Sequence, residues 1–230
     1  MKKIGIIGGM SWESTAHYYT DINREIRRRL GGLCSADIVL HSVEFSHMHD
    51  LQARGKWHEA GRVLNQSALT LQNAGVDLLL LATNTMHKVV DVMLEGIHIP
   101  FLHIADCTAL EIAGEGLRKV ALLGTRFTMQ EDFYRQRIAD QAGVEVLVPQ
   151  QDQQVNIDRI IFEELCVGRI EARSKKYYLD VIASLVEQGA QGVILGCTEI
   201  GLLIQPLDTE IKQFDTAKIH VRAAVDAALM

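Results

Sequence analysis

Two apolar segments of this 230-residue chain recur in its second half, in the same order and at nearly equal spacing. Lys3-Ile4-Gly5-Ile6-Ile7-Gly8-Gly9 resembles Lys119-Val120-Ala121-Leu122-Leu123-Gly124-Thr125 at an offset of 116 residues. Gly75 followed by Leu78-Leu79-Leu80-Leu81-Ala82-Thr83-Asn84-Thr85 resembles Gly189 followed by Gly192-Val193-Ile194-Leu195-Gly196-Cys197-Thr198-Glu199, at an offset of 114. Ile104-Ala105-Asp106-Cys107-Thr108 against Gln213-Phe214-Asp215-Thr216 is a looser third pair. Buried strands ending in a small residue look alike, so one match is easily chance; two in order favour duplication. A duplicated unit predicts two similar domains related by an approximate two-fold axis.

Both repeated segments are uninterrupted apolar runs. Such runs, expected as strands at 3–8, 37–44, 77–82, 99–104, 119–124, 144–148, 192–196 and 211–214, alternate with segments of helical period. The helices are expected near 13–30, 56–74, 86–95, 106–116, 128–142, 155–166, 172–188 and 216–228. Continuously apolar strands need cover on both faces, so the pattern predicts an α/β fold with parallel sheets. Strand 99–104 is expected to lead into the second domain and helix 216–228 to return to the first. The limits are then 1–98 with 208–230, and 99–207. Ligands of open α/β sheets bind beyond the carboxyl ends of the strands. Gly9, Thr83, Thr125 and Cys197 are therefore expected to converge on one interdomain cleft.

Charge and cysteine usage narrow the function. A net charge of -6 argues against a nucleic-acid binder. Arg27-Arg28-Arg29 reads as the solvated last turn of a helix, favoured by its dipole, rather than a phosphate site. No apolar run approaches membrane-spanning length. The apolar N-terminus is too short and glycine-rich for a signal peptide and reads as a buried first strand. Cys34, Cys107, Cys166 and Cys197 lie far apart with no CxxC pair, so neither zinc nor a disulfide framework is indicated. The chain reads as cytoplasmic with reduced thiols.

Cys197 is the leading catalytic candidate, because it follows Gly192-Val193-Ile194-Leu195-Gly196 at a strand's carboxyl end. Backbone N–H groups at such a turn are expected to lower the thiol pKa. The bland alternative is inert packing, since cysteine is among the most buried residue types. Thr83 at the matching position, followed by Asn84 and Thr85, weighs against that alternative. Asn84, Thr85 and Thr198 offer donors for a carboxylate. Ser11 adds a hydroxyl at the start of helix 13–30, where it is also a fitting N-cap. Thr125 and Thr128 supply a corresponding anion-holding turn. The N-terminal glycines do not fit GxGxxG, which rejects a dinucleotide site. His41, in a strand, and His47 and His49, in the following loop, lack a carboxylate or cysteine partner at metal-ligand spacing. His87, one turn after Thr83, is expected to support the site from behind, and Cys34, Cys107 and Cys166 to be structural.

Taken together, these features resemble the aspartate/glutamate racemase superfamily. The matching residues are Gly8-Gly9-Met10-Ser11 with Glu13-Ser14-Thr15 and Tyr18-Tyr19, then Asn84-Thr85-Met86-His87. Leu122-Leu123-Gly124-Thr125 with Thr128, Gly196-Cys197-Thr198-Glu199 and Asp215-Thr216 complete the set in family order. The resemblance implies two α/β domains, no pyridoxal phosphate, no metal, and homodimers as a common assembly. It also implies two cysteines that remove and return the α-proton of an amino acid from opposite faces. Met10, Ser11, Gln52, Asn84, Thr85, Thr125 and Thr198 form the implied substrate-binding set, with Thr83 and Cys197 catalytic.

Two departures stand out. The first motif of the family reads Cys-Asn-Thr, and Thr83 replaces that cysteine. Aspartate racemases of the family also carry an Arg after the second strand and a Lys near position 166. Here those regions read Ser46-His47-Met48-His49-Asp50-Leu51-Gln52 and Leu165-Cys166-Val167-Gly168, leaving Arg54, Arg169 or His47 as substitutes. The expected activity is interconversion of L- and D-amino acids: aspartate and glutamate, or a broader set including neutral side chains such as homoserine. A hydantoin racemase, a maleate isomerase and a non-catalytic amino-acid binder stay open as alternatives. The absence of Lys at the matched strand ends disfavours a pyridoxal-phosphate racemase.

Overall fold

Strand β1 (Ile4–Gly8) is buried at every residue, as its unbroken apolar sequence demands. It lies between β2 (Ile38–Ser42) and β3 (Leu78–Leu81), and β4 (Phe101–Leu102) pairs with β3. All these pairings are parallel, with Ile4 opposite both Ile38 and Leu78. Helices α1 (Trp12–Leu30), α2 (Phe45–Ala53), α3 (Trp57–Asn73) and the short α4 (Val90–Met93) connect the strands. Ala60, Leu64, Ala68 and Leu71 recur at helical spacing along α3 and share one core with Ile7, Leu79 and Leu81. The computed structural model describes all residues from Met1 to Met230.

A second sheet repeats this plan. Its order is β6 (Glu145–Leu147), β5 (Lys119–Gly124), β7 (Gly192–Gly196), β8 (Lys212–Asp215), again all parallel. Successive side chains of a strand leave on opposite faces, and both faces here are filled. Ala121, Leu123, Val193 and Leu195 meet α8 (Gln151–Glu163) and α9 (Ala172–Glu187). Val120, Leu122, Ile194 and Phe214 meet α5 (Ile104–Gly114) and α7 (Asp132–Ala142). The remaining helices are α6 (Arg126–Gln130), α10 (Ile200–Leu203) and α11 (Thr216–Leu229). No helix is long and apolar enough to cross a membrane.

The units comprise Met1–His103 with His220–Met230, and Ile104–Ile219. These limits differ from 1–98 with 208–230 and 99–207. The edge strand β4 hydrogen-bonds to β3, so residues 99–103 stay with the first sheet instead of opening the second. Strand β8 pairs with β7 and holds residues 208–219 in the second unit. His47 and His49 lie on α2 rather than in a loop; Glu44 caps that helix by accepting from the Ser46 and His47 N–H groups. In the Arg27–Arg29 run, Arg28 and Arg29 both pair with Glu25, at 2.6 and 2.7 Å.

Candidate active site

The first unit contributes two adjoining turns. After β1, Gly9 has a positive φ of 94°, and a Cβ there would stand 2.2 Å from the Val43 carbonyl oxygen. Only glycine fits that position. Its N–H donates to Thr15 Oγ1 at 2.9 Å, and that hydroxyl donates to the Ser11 carbonyl at 2.8 Å, drawing the loop onto the first turn of α1. Ser11 occupies the N-cap position, but its hydroxyl makes no capping bond, contrary to the simple N-cap expectation. Met10 is buried among the core residues of this unit.

Beyond β3, the Ala82 N–H donates to the Ile7 carbonyl at 2.8 Å as the last rung of the sheet. Thr83, Asn84 and Thr85 follow, all buried, and Thr85–Val89 winds into a 3₁₀ turn. Gln52 of α2 is also buried, and its side-chain amide donates to Met86 Sδ at 3.0 Å. Arg54 is exposed and bonded to Asp50 at 3.0 Å, while Arg169 is bound to the Glu163 carbonyl. Each of these two cations already has a local partner.

The second unit contributes the ends of β5 and β7. Thr125 Oγ1 accepts from the Thr128 N–H at 3.4 Å and lies 3.1 Å from the Thr128 hydroxyl. A Cβ on Gly124 would stand 2.9 Å from the Gly196 carbonyl oxygen, so the two strands approach closely just before Cys197. Cys197 Sγ and Thr198 Oγ1 both donate to Glu199 Oε2, each at 2.9 Å, and Glu199 is 1% exposed. A separate open depression of about 620 Å³, between α9 and residues 208–211, shares no lining residue with these turns.

The thiol differs from expectation in its electrostatics. Burial first, then the Glu199 charge, then Cys166 and the hydrogen bond to Glu199 push Cys197 well above its ordinary pKa. The Glu199 N–H does pull it down, as anticipated for a strand-end turn, but is outweighed. Cys197 therefore rests as a neutral thiol beside an acceptor for its proton. In the sequence Glu199 stands out only as a motif residue; a carboxylate two residues after a strand-end cysteine is the signal that marks its role. His87 is fully buried, and burial, followed by His103 and His220 nearby, holds it far below the usual imidazole range.

Two like-built units, each carrying a buried polar triplet just past the carboxyl end of a central strand, match a known family over almost the whole chain. The Asp/Glu/hydantoin racemase family model matches residues 7–224, and the chain belongs to that family. It is an isomerase of the racemase type. A protein from Yersinia pestis described as a candidate Asp/Glu racemase is 47% identical, with both chains fully covered and a TM-score of 0.91. An aspartate racemase homologue from Pyrococcus horikoshii OT3 is 37% identical, again over both full chains, with a TM-score of 0.84. The broad specificity amino-acid racemase RacX of Bacillus subtilis (strain 168) is 22% identical over 98% of each chain.

Proposed function

We propose that the chain is a cofactor-independent amino-acid racemase in which Cys197 and Thr83 exchange the α-proton from opposite faces of one substrate. The observation that carries this reading is the pair of buried triplets, Thr83-Asn84-Thr85 and Cys197-Thr198-Glu199, at equivalent strand ends. In the forward step the Cys197 thiol gives its proton to the Glu199 carboxylate, and the resulting thiolate removes the substrate α-proton. The pair carries one negative charge before and after the internal transfer, so no second buried anion is created. Asn84, Thr85 and Thr198, with Ser11, Thr125 and Met10 at the neighbouring loops, hold the substrate and oppose charge building at its carboxylate. Thr83 returns a proton to the other face through its hydroxyl as it takes one from solvent water, and the proton held by Glu199 goes back to solvent. The cycle closes with Thr83 a hydroxyl, Cys197 a thiol and Glu199 a carboxylate. Lacking a thiol's acidity, it serves as a much poorer base in reverse.

The region where aspartate racemases of the family place Lys holds Cys166, and the buried polar side chain on α2 is the uncharged Gln52. The substrate range is therefore proposed to reach neutral side chains such as homoserine besides aspartate and glutamate. One missing charged hydrogen bond relaxes discrimination by about 1.5–3 kcal/mol. The test is deuterium incorporation at Cα in heavy water across L- and D-aspartate, glutamate, homoserine, alanine and a hydantoin. Exchange of amino acids within about 200-fold of one another supports the proposal. Exchange of the hydantoin alone, or none at all, overturns it.

The two faces should also differ. The L-isomer, served by Cys197, should exchange faster at saturation than the D-isomer, served by Thr83. Specificity constants in the two directions must still be equal, because the enantiomers are equal in free energy. Thr83→Cys should even out the two exchange rates. Equal rates in the wild type, unchanged by Thr83→Cys, would reduce Thr83 to a wall of the site.

A further inference from the structure

Thr83 is held at both of its peptide groups. Its N–H donates to the Leu81 carbonyl at 2.9 Å. Its carbonyl meets His87 Nδ1 at 2.8 Å. The backbone N–H of His87 is already engaged with the Asn84 carbonyl at 3.1 Å, so the Thr83 carbonyl is met by a side chain rather than by the next turn of backbone. A carbonyl oxygen only accepts, which places the imidazole proton on Nδ1.

The ring itself is clamped. His103 packs edge-on at 4.4 Å between centroids, with Phe101 at 5.6 Å and His220 at 6.4 Å. His220 is fixed in turn: its Nε2 donates to the Leu102 carbonyl at 2.9 Å, leaving Nδ1 to accept from the Tyr18 hydroxyl at 3.0 Å. Buried among neighbouring rings, His87 and His220 are both held below the ordinary imidazole value, so His87 acts as a hydrogen-bond donor and not as an ion. An apolar ring would fill the same volume without holding the carbonyl.

We propose that His87 is a positioning residue for one direction of the reaction: by fixing the Thr83 carbonyl it sets where the Thr83 hydroxyl points. The inference rests on Thr83 and Cys197 being opposed acid/base groups. Threonine has few χ1 choices once its backbone is fixed, so pinning both peptide groups leaves the hydroxyl few directions. A displacement of about 1 Å at such a group costs on the order of 100-fold in rate.

The experiment follows α-proton exchange in heavy water for L- and D-aspartate and L- and D-homoserine, in the wild type, His87→Phe and His87→Asn. Asparagine can place its amide N–H where Nδ1 stands; phenylalanine keeps the ring and loses the donor. In His87→Phe, exchange of the D-isomers and conversion of L to D should fall about 10–100-fold, while deuterium entry into unreacted L-isomer, served by Cys197, stays within about threefold. His87→Asn should recover most of the loss. Equal losses for both enantiomers in His87→Phe, no loss in either, or failure of His87→Asn to recover the D-side rate each overturn the proposal. A wild type that exchanges neither isomer overturns the racemase reading itself, a distinct result. Nitrogen NMR of the wild type needs no variant. Nδ1 of His87 should be protonated and Nε2 bare throughout about pH 6–8, and the opposite tautomer would overturn the proposal.

Discussion

At Cys197 two requirements pull against each other. A buried thiol beside a carboxylate resists ionisation, yet the same carboxylate is the acceptor through which the thiol proton can leave. Replacing the charge while keeping the shape separates these effects. Glu199→Gln removes two causes that raise the thiol pKa, so Cys197 should be alkylated faster at neutral pH. Turnover should fall, by roughly the 10²–10⁴-fold attributed to a positioned acid or base. Alkylation by iodoacetamide, resolved by peptide mass spectrometry from Cys34, Cys107 and Cys166, reads the first effect. Unchanged labelling would mean that the Glu199 charge does not govern the thiol. Cys197→Ala should abolish turnover with the fold intact, as circular dichroism and thermal unfolding can verify. More than about a tenth of wild-type activity would exclude the thiol as the required base.

The elements carrying these residues were legible to different degrees. All eight strands were readable. The central β1, β3, β5 and β7 are buried and write continuous apolar runs such as Ile4-Gly5-Ile6-Ile7 and Leu78-Leu79-Leu80-Leu81. The more exposed β2, β4, β6 and β8 fall at the same spacing between helices. Helix α2 was not: its residues 45–53 mix Phe, His, Met and Asp without clear amphipathic order, and its start depends on the Glu44 cap. The unit limits depended on which edge each of the short strands β4 and β8 joins, information held in hydrogen bonds between distant segments. Candidate residues at strand ends were legible from position and repetition. The reversal of the Cys197 pKa and the bond from His87 to Thr83 were not, since both depend on burial and orientation. The close strand approach at Gly196 makes a prediction at this scale. A Cβ there would stand 2.7 Å from Leu122 Cδ1 and 2.8 Å from the Leu123 carbonyl oxygen. The leucine can turn aside, but the backbone oxygen cannot. Gly196→Ala should therefore push β7 from β5 and destabilise by about 1–3 kcal/mol. Urea unfolding measures it, and a variant as stable as wild type would show that the strand ends have slack.

For the whole molecule, the buried titratable groups make stability depend on pH on both sides of neutrality. On the acid side, burial lowers His220 from 6.5 to about 4, and burial and its imidazole neighbours hold His87 well below 6.5 as well. In the unfolded chain both return to about 6.5. Below that pH the unfolded state binds protons that the folded state refuses, so their contribution is complete above about 6.5 and is lost as pH falls toward 4. Each group sets a limiting slope of about 1.4 kcal/mol per pH unit. Glu25, held at about 2 by its bonds to Arg28 and Arg29, adds a further loss only below its ordinary 4.5. On the alkaline side the sign reverses. Cys107, raised to about 11 by burial and then by Asp106, and Cys197, raised well above 9 by burial and then by Glu199, keep their protons in the folded chain after the unfolded chain has released them. Stability is then present below the ordinary thiol value near 9 and lost above it. Urea unfolding at pH 5, 7 and 9.5 should give its highest free energy at pH 7. The drop to pH 5 should exceed about 2 kcal/mol, because two histidines titrate together there. A free energy that is flat from pH 7 to 5 would mean that His87 and His220 accept protons in the folded state. The neutral, clamped imidazole cluster behind Thr83 would then be wrong.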